Sequence, residues 1–200
     1  MNPWISQPTS EEPLPSAPAA APQAQATGPS APQRGVPAPD QVDQLPVYDR
    51  PQAATLWWLG THGGAGESTL ASLVPEWPAA QHGWPRHGQM PARVVLVART
   101  SERGLRAAQA AATQWAAGLV PHAEVVGLVL MLDAPGKLPK PLREFAQVVS
   151  GGVPRMWTVP WIERLRLGES FTLTDAPREV RRLVDELSAL LSPGASRTGN

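Results

Sequence analysis

From residue 55 onward the chain alternates short apolar runs with amphipathic stretches. TLWWLG (55–60) is a compact apolar run closed by glycine, the pattern of a buried strand feeding a turn. STLASLV (68–74) predicts a short helix stopped by Pro75. RVVLVART (93–100) is a continuous run rich in β-branched residues, as in a parallel strand buried on both faces. A helix follows, opened by Thr100 or Ser101, with Leu105, Ala108, Ala112, Trp115 and Ala116 along one stripe. VVGLVLMLD (125–133) predicts another strand, which the DAPGK turn ends.

A helix over 141–149 places Leu142, Phe145, Ala146 and Val149 on one face, and RMWTVPW (155–161) predicts a last strand. The final helix begins near Asp175 with Pro177 in its first turn. Its stripe is Val180, Leu183, Val184, Leu187, Leu190 and Leu191. Strand and helix alternate throughout. The expected fold is α/β, a parallel sheet of about four strands with helices on both faces.

Residues 1–50 break this rhythm. They hold eleven prolines, and five acids against two arginines, with few aliphatic or aromatic side chains. Such a stretch cannot bury enough apolar surface to offset the entropy of ordering. The expected organisation is therefore a disordered arm over 1–50, an α/β domain over 51–193 and a disordered tail over 194–200.

The absence of cysteine excludes disulfides, zinc–thiolate sites and thiol catalysis. The start, MNPWISQPTSEEP, lacks the basic and apolar regions of a secretory leader. The longest apolar run, at 125–132, is far below the ~20 residues of a membrane helix. A cytoplasmic protein without a membrane span is expected. With a net charge of zero and no long basic run, nucleic acid is not the expected partner.

The chemistry concentrates in GTHGGAGESTL (60–70), between the first predicted strand and helix. Gly63, Gly64 and Gly66 allow positive φ and close approach of backbone amides to a phosphate, with the small Ala65 between them. Ser68 and Thr69 fall at a helix N-terminus, where a hydroxyl can hold magnesium. In open parallel sheets this is the ligand end of the strands. Glu67 follows Gly66, where such a loop ordinarily carries lysine. Its carboxylate opposes phosphate at a cost of several kcal/mol, even at an effective dielectric of about 20.

GTHGGAGESTLASL resembles the deviant Walker A loop of ParA/MinD-type P-loop ATPases, whose pattern is Lys-Gly-Gly-x-Gly-Lys-Ser/Thr. VVLVARTSERGLRAAQAA is similar to the strand and helix that follow that family's Walker B region. VVGLVLMLDAPG resembles the strand leading to its base-recognition turn, and VPWIERLRLGESF its Pro-Tyr-Asp…Leu…Gly segment. The likeness spans most of residues 55–190 in order, and extends to short bacterial relatives with an altered loop.

The resemblance implies a P-loop fold and a nucleotide or anion site at Gly63, Gly64, Ala65, Gly66, Glu67, Ser68 and Thr69. ATP or ADP with magnesium would be the ligand. The departures are specific. His62 stands at the signature lysine, Glu67 at the catalytic-loop lysine and Met131 at the base-reading asparagine. Only eighteen residues, 75–92, separate the first helix from the next strand, too few for the switch and acidic strand that bind magnesium.

The expectation is a degenerate NTPase with no catalytic residue and no metal site, acting through an unidentified protein partner. A role accessory to a partition, conjugation or secretion assembly is implied by the resemblance alone. The alternative is a weak or partner-completed ATP-binding protein or ATPase.

Other constellations count for less. Gly66-Glu67-Ser68 begins a nucleophile elbow, but Leu70 stands where the second glycine belongs. His62, His82, His87 and His122 are scattered without ligand spacing and read as solvated loop residues. Asp133 reads as a turn cap, or less readily as a Walker B acid. Trp77, Trp84 and Trp161 read equally as a partner surface and as filling for the shortened region. Arg178, Arg181 and Arg182 read as a solvated helix face.

Overall fold

The computed structural model describes residues 26–192. Residues 1–25 of the arm expected over 1–50, and the tail expected over 194–200, lie outside the described residues. In chain order the elements are β1 (Val47–Asp49), β2 (Trp57–Gly60), α1 (Glu67–Ala71), β3 (Trp84–Arg86), β4 (Ala92–Arg99) and α2 (Glu102–Ala116). They continue with β5 (Ala123–Met131), α3 (Lys140–Ser150), β6 (Met156–Val159), α4 (Glu163–Arg166) and α5 (Arg178–Leu191).

Four of these strands form one parallel sheet in the order β2-β4-β5-β6. Successive strand residues point to opposite faces, so each apolar run divides between two cores. Trp57, Leu59, Val94, Leu96, Leu128 and Leu130 pack with α2 and α3. Trp58, Val95, Val97, Val129, Trp157 and Val159 pack with α1 and α5 on the other face. Helices thus cover both faces, and the middle of each long strand is continuously apolar because both of its sides are buried.

The order has no reversal. β2, which carries the glycine-rich loop, is an outer strand of the sheet. Its free side is strapped by residues 78–80: Trp58 N–H donates to Pro78 O (3.0 Å) and Ala80 N–H to Trp58 O (2.7 Å). The short region 75–92 folds around this edge. Trp77 packs edge-on against Trp58 on one face, with ring centroids 5.9 Å apart, and Trp84 is buried in the opposite core. These two tryptophans fill the shortened region and form no partner surface. Trp161 remains half-buried at the carboxyl ends of the strands.

Residues 26–50 depart from the arm expected over 1–50. They lie against the domain. Ala26 bridges Arg155, Gln33 N–H donates to Ala116 O (2.9 Å), and β1 pairs in parallel with β3. The amide side chain of Gln114 on α2 clamps Leu45, accepting from its N–H and donating to its carbonyl, both at 3.0 Å. The same Gln114 oxygen accepts from the Trp84 indole at 2.8 Å. This segment docks through backbone groups and isolated side chains such as Val36 and Leu45, which low overall hydropathy does not forbid.

Candidate functional site

The loop leaves β2 in a single turn. Thr61 N–H still donates to Val97 O of β4 (2.9 Å), and Ala65 N–H to His62 O (3.2 Å). Gly64 and Gly66 have φ of +75° and +106°, which favour glycine. Gly66 precedes α1 as its left-handed cap, with the Met131 side chain 3.2 Å from where a Cβ would stand. Met131, expected at the base-reading position, instead packs beneath the loop.

Gly63 and Gly64 are exposed, Ala65 is buried, Ser68 is exposed and Thr69 is half-buried. The amides of Gly63, Gly64 and Gly66 have no acceptor among the described residues. The spacing therefore produces a turn with three N–H groups that no described residue accepts. α1 behind it has only five residues, so its dipole adds little.

Glu67 is where the expectation needs revising. Its side chain does not face a ligand. It is buried, and Oε2 accepts the Gly60 N–H at 2.7 Å. Oε1 lies 3.2 Å from His82 Nδ1, which also contacts Gly60 O at 3.0 Å. Both neighbours of that nitrogen are acceptors, so Nδ1 carries the proton. The strand end frees a buried amide that must find an acceptor, and the first side chain of the helix supplies it.

His82 is accordingly no solvated loop histidine. Gln81 and His82 both adopt left-handed backbone, φ +55° and +57°, at roughly 1 kcal/mol or more each for residues with a Cβ. The ring's contacts with Glu67 and Gly60 O offset that strain. His62, at the signature-lysine position, also serves the protein itself. Arg99 N–H donates to its Nε2 (3.0 Å), leaving the Nδ1 proton to Gly63 O (2.9 Å).

The cation beside the loop comes from β4. Arg99 Nε donates to Gly64 O (3.1 Å) and Nη1 to Leu132 O (3.3 Å), tying the loop to the end of β5. Sequence reasoning missed Arg99, which ends a strand run with no motif around it. Lys137 is exposed and Lys140 pairs with Glu144 at 3.7 Å; neither bonds the loop. Asp133 accepts the Thr100 hydroxyl at 2.8 Å, so it joins β5 to β4.

Two clefts flank these residues. One, of about 730 Å³, lies between residues 37–45 and α2 with His62 and Gly63 at its end. The other, of about 270 Å³, is bounded by Arg99, Ser101, Asp133, Trp161 and Arg166. Among the described residues no group of three or more His, Asp or Glu is placed to hold a metal ion. No described helix is long and apolar enough to cross a membrane. On α5, Arg182 pairs with Glu186 (2.7 Å), which also accepts the Trp157 indole (2.8 Å), and Arg178 and Arg181 are exposed.

Residues 54–184 match the model of a family of unknown function, DUF6668, and the chain belongs to that family. No curated protein and no solved structure matches it.

Proposed function

We propose that this family member is a non-hydrolysing, ParA/MinD-like P-loop scaffold of the cytoplasm that acts by binding or regulating a protein partner. The observation that carries the reading is the inward Glu67. The residue in the place of the loop lysine closes the loop's own backbone and offers a phosphate no positive charge. Phosphoryl transfer rests on neutralising the transferred group with a cation and a metal. Among the described residues no group of acidic side chains is placed to hold a metal, and Asp133 accepts the Thr100 hydroxyl. The strand order supports the same conclusion. Crevices that hold nucleotides form where strand order reverses, and β2-β4-β5-β6 has no reversal.

One observation favours a second reading, in which a nucleotide is held without being cleaved. The amides of Gly63, Gly64 and Gly66 have no acceptor among the described residues, and the Arg99 guanidinium bonds the same loop at Gly64 O; unbonded amides and a cation together favour an anion. Purified protein mixed with magnesium and ATP tests both readings. The scaffold reading expects phosphate release no faster than in buffer, and no heat on titration with ADP. Heat lost in Arg99→Ala would establish the second reading. Hydrolysis abolished by Ser68→Ala would overturn both.

A further inference from the structure

The smaller cleft, of about 270 Å³, lies beyond the carboxyl ends of three strands. β4 contributes its last residue, Arg99, β5 ends in Met131, and β6 runs into Pro160 and Trp161. None of the loop glycines lines it. Two guanidiniums do, and both are placed by neutral groups. Arg99 gives Nε to Gly64 O (3.1 Å) and Nη1 to Leu132 O (3.3 Å). A guanidinium has five N–H donors, and carbonyl oxygens fix its position without cancelling its charge. Arg166 stands over the Trp161 ring, 5.8 Å from the centroid, a contact that also leaves the charge in place. Two residues earlier, Arg164 is committed instead to Glu169 and Asp175, at 3.2 and 2.9 Å.

Much of the remaining wall is apolar. Ile162 and Leu165 are half-buried, packed against the core that α5 covers. The Trp161 indole is set by its bond to Glu163 Oε2 at 2.7 Å. Apolar surface with a few fixed polar groups is the make-up of a small-ligand site. Size and charge narrow the ligand. Sites for drug-sized molecules measure about 300–1,000 Å³, so this cleft takes something smaller. Asp133 also lines it, so two guanidiniums against one carboxylate leave one positive charge. A single negative charge balances that, whereas a phosphoryl group at about −1.5 to −2 exceeds it.

We propose that this cleft binds a small carboxylic acid with an apolar body. Its carboxylate bonds Arg99 and Arg166, and its body lies against Trp161, Ile162 and Leu165. A free acid and the C-terminal residue of a peptide present the same chemistry. The site goes beyond both readings of the glycine-rich loop and depends on neither.

The test is NMR titration of the full chain with N-acetylphenylalanine, with its uncharged amide as control. The acid should bind at about 1 mM or tighter, within reach of a ligand this small, and move the Trp161 indole resonance. The amide should bind at least about tenfold more weakly, and so should the acid to Arg166→Gln, because each change removes a charge-assisted bond. Arg166 is exposed, so that variant should melt as wild type does. Whatever ADP does at Gly63, Gly64 and Gly66, Arg166→Gln should leave it unchanged, so the loop and the cleft fail separately. Equal affinity for acid and amide, undiminished binding to Arg166→Gln, or a Trp161 indole unmoved at about 10 mM acid would overturn the proposal. A tetrapeptide ending in phenylalanine separates the two sources. Binding tighter than that of the acid identifies a peptide terminus, binding no tighter identifies a free acid, and both uphold the carboxylate site.

Discussion

Two irregular stretches of the molecule are each closed by one buried polar side chain. The glycine-rich loop is closed by Glu67 of α1, and the segment leading to β1 by Gln114 of α2; each is 4% exposed. The chemistry differs. A carboxamide donates and accepts, so Gln114 satisfies both backbone groups of Leu45 and the Trp84 indole without help. A carboxylate only accepts. Glu67 can satisfy the Gly60 amide and the His82 ring, but no carbonyl of the loop. The carbonyls fall to His62 and Arg99. The loop is consequently a charged assembly drawn from four parts of the chain, and the segment is a neutral clamp from one.

That difference predicts the largest effect in the loop. Glu67→Ala leaves the buried Gly60 amide without an acceptor and leaves the His82 Nδ1 proton to Gly60 O alone. Loss of a charge-assisted bond and exposure of an unmet donor should lower stability by about 2–4 kcal/mol. Glu67→Lys should cost more than Glu67→Ala, because it sets an ammonium against an N–H donor. Urea unfolding of both variants measures this. A lysine variant as stable as wild type would show that the side chain turns outward with ease, and that the loop is not held by its own glutamate.

Next comes the neutral clamp. Gln114→Leu keeps the approximate volume but leaves three polar groups unpaired, for about 2–3 kcal/mol. Residues 37–46 should then become cleavable by added protease while the sheet remains folded, because the sheet has its own two cores. Thr27→Val removes one half-buried bond to Val153 O and should cost about 1 kcal/mol. Equal losses for Gln114→Leu and Thr27→Val would mean that the segment is held evenly along its length and not at Leu45.

The same two regions show what could be read in advance. The four strands were legible because β4 and β5 carry the unbroken apolar runs 94–98 and 125–131, which burial on both faces explains. The loop's turn was legible from its glycines. The direction of Glu67 was not, because it depends on an amide freed seven residues earlier and a histidine fifteen residues later. The edge position of β2 was hidden for a related reason: strand order is not a local property. The segment 26–50 was hidden more completely. β1 and β3 are three residues each, with Pro85 inside β3, and no periodicity marks a chain that docks by its backbone.

The smallest effects belong to charge on the surface, and they share one sign. Asp175 accepts from the Thr172 hydroxyl and backbone N–H and from Arg164, and these bonds hold its carboxyl well below the usual 3.8. Asp49, bonded to Arg86, is lowered in the same way. His122 is lowered from 6.5, chiefly by burial and then by the nearby Arg86 charge. A group with a depressed folded pKa binds fewer protons folded than unfolded, so its stabilisation is complete above the unfolded value and is lost as pH falls toward the folded one. Stability should therefore decline first below about pH 6.5, where the unfolded chain protonates His122 more readily than the folded one, and again below about pH 4, where the two aspartates lose the charge that their partners favour. Asp175→Asn should be less stable than wild type at neutral pH, and the two midpoints should converge in acid. A gap between them that persists undiminished at low pH would mean that Asp175 acts by shape, and that its ion pair with Arg164 contributes nothing, as exposed pairs often do.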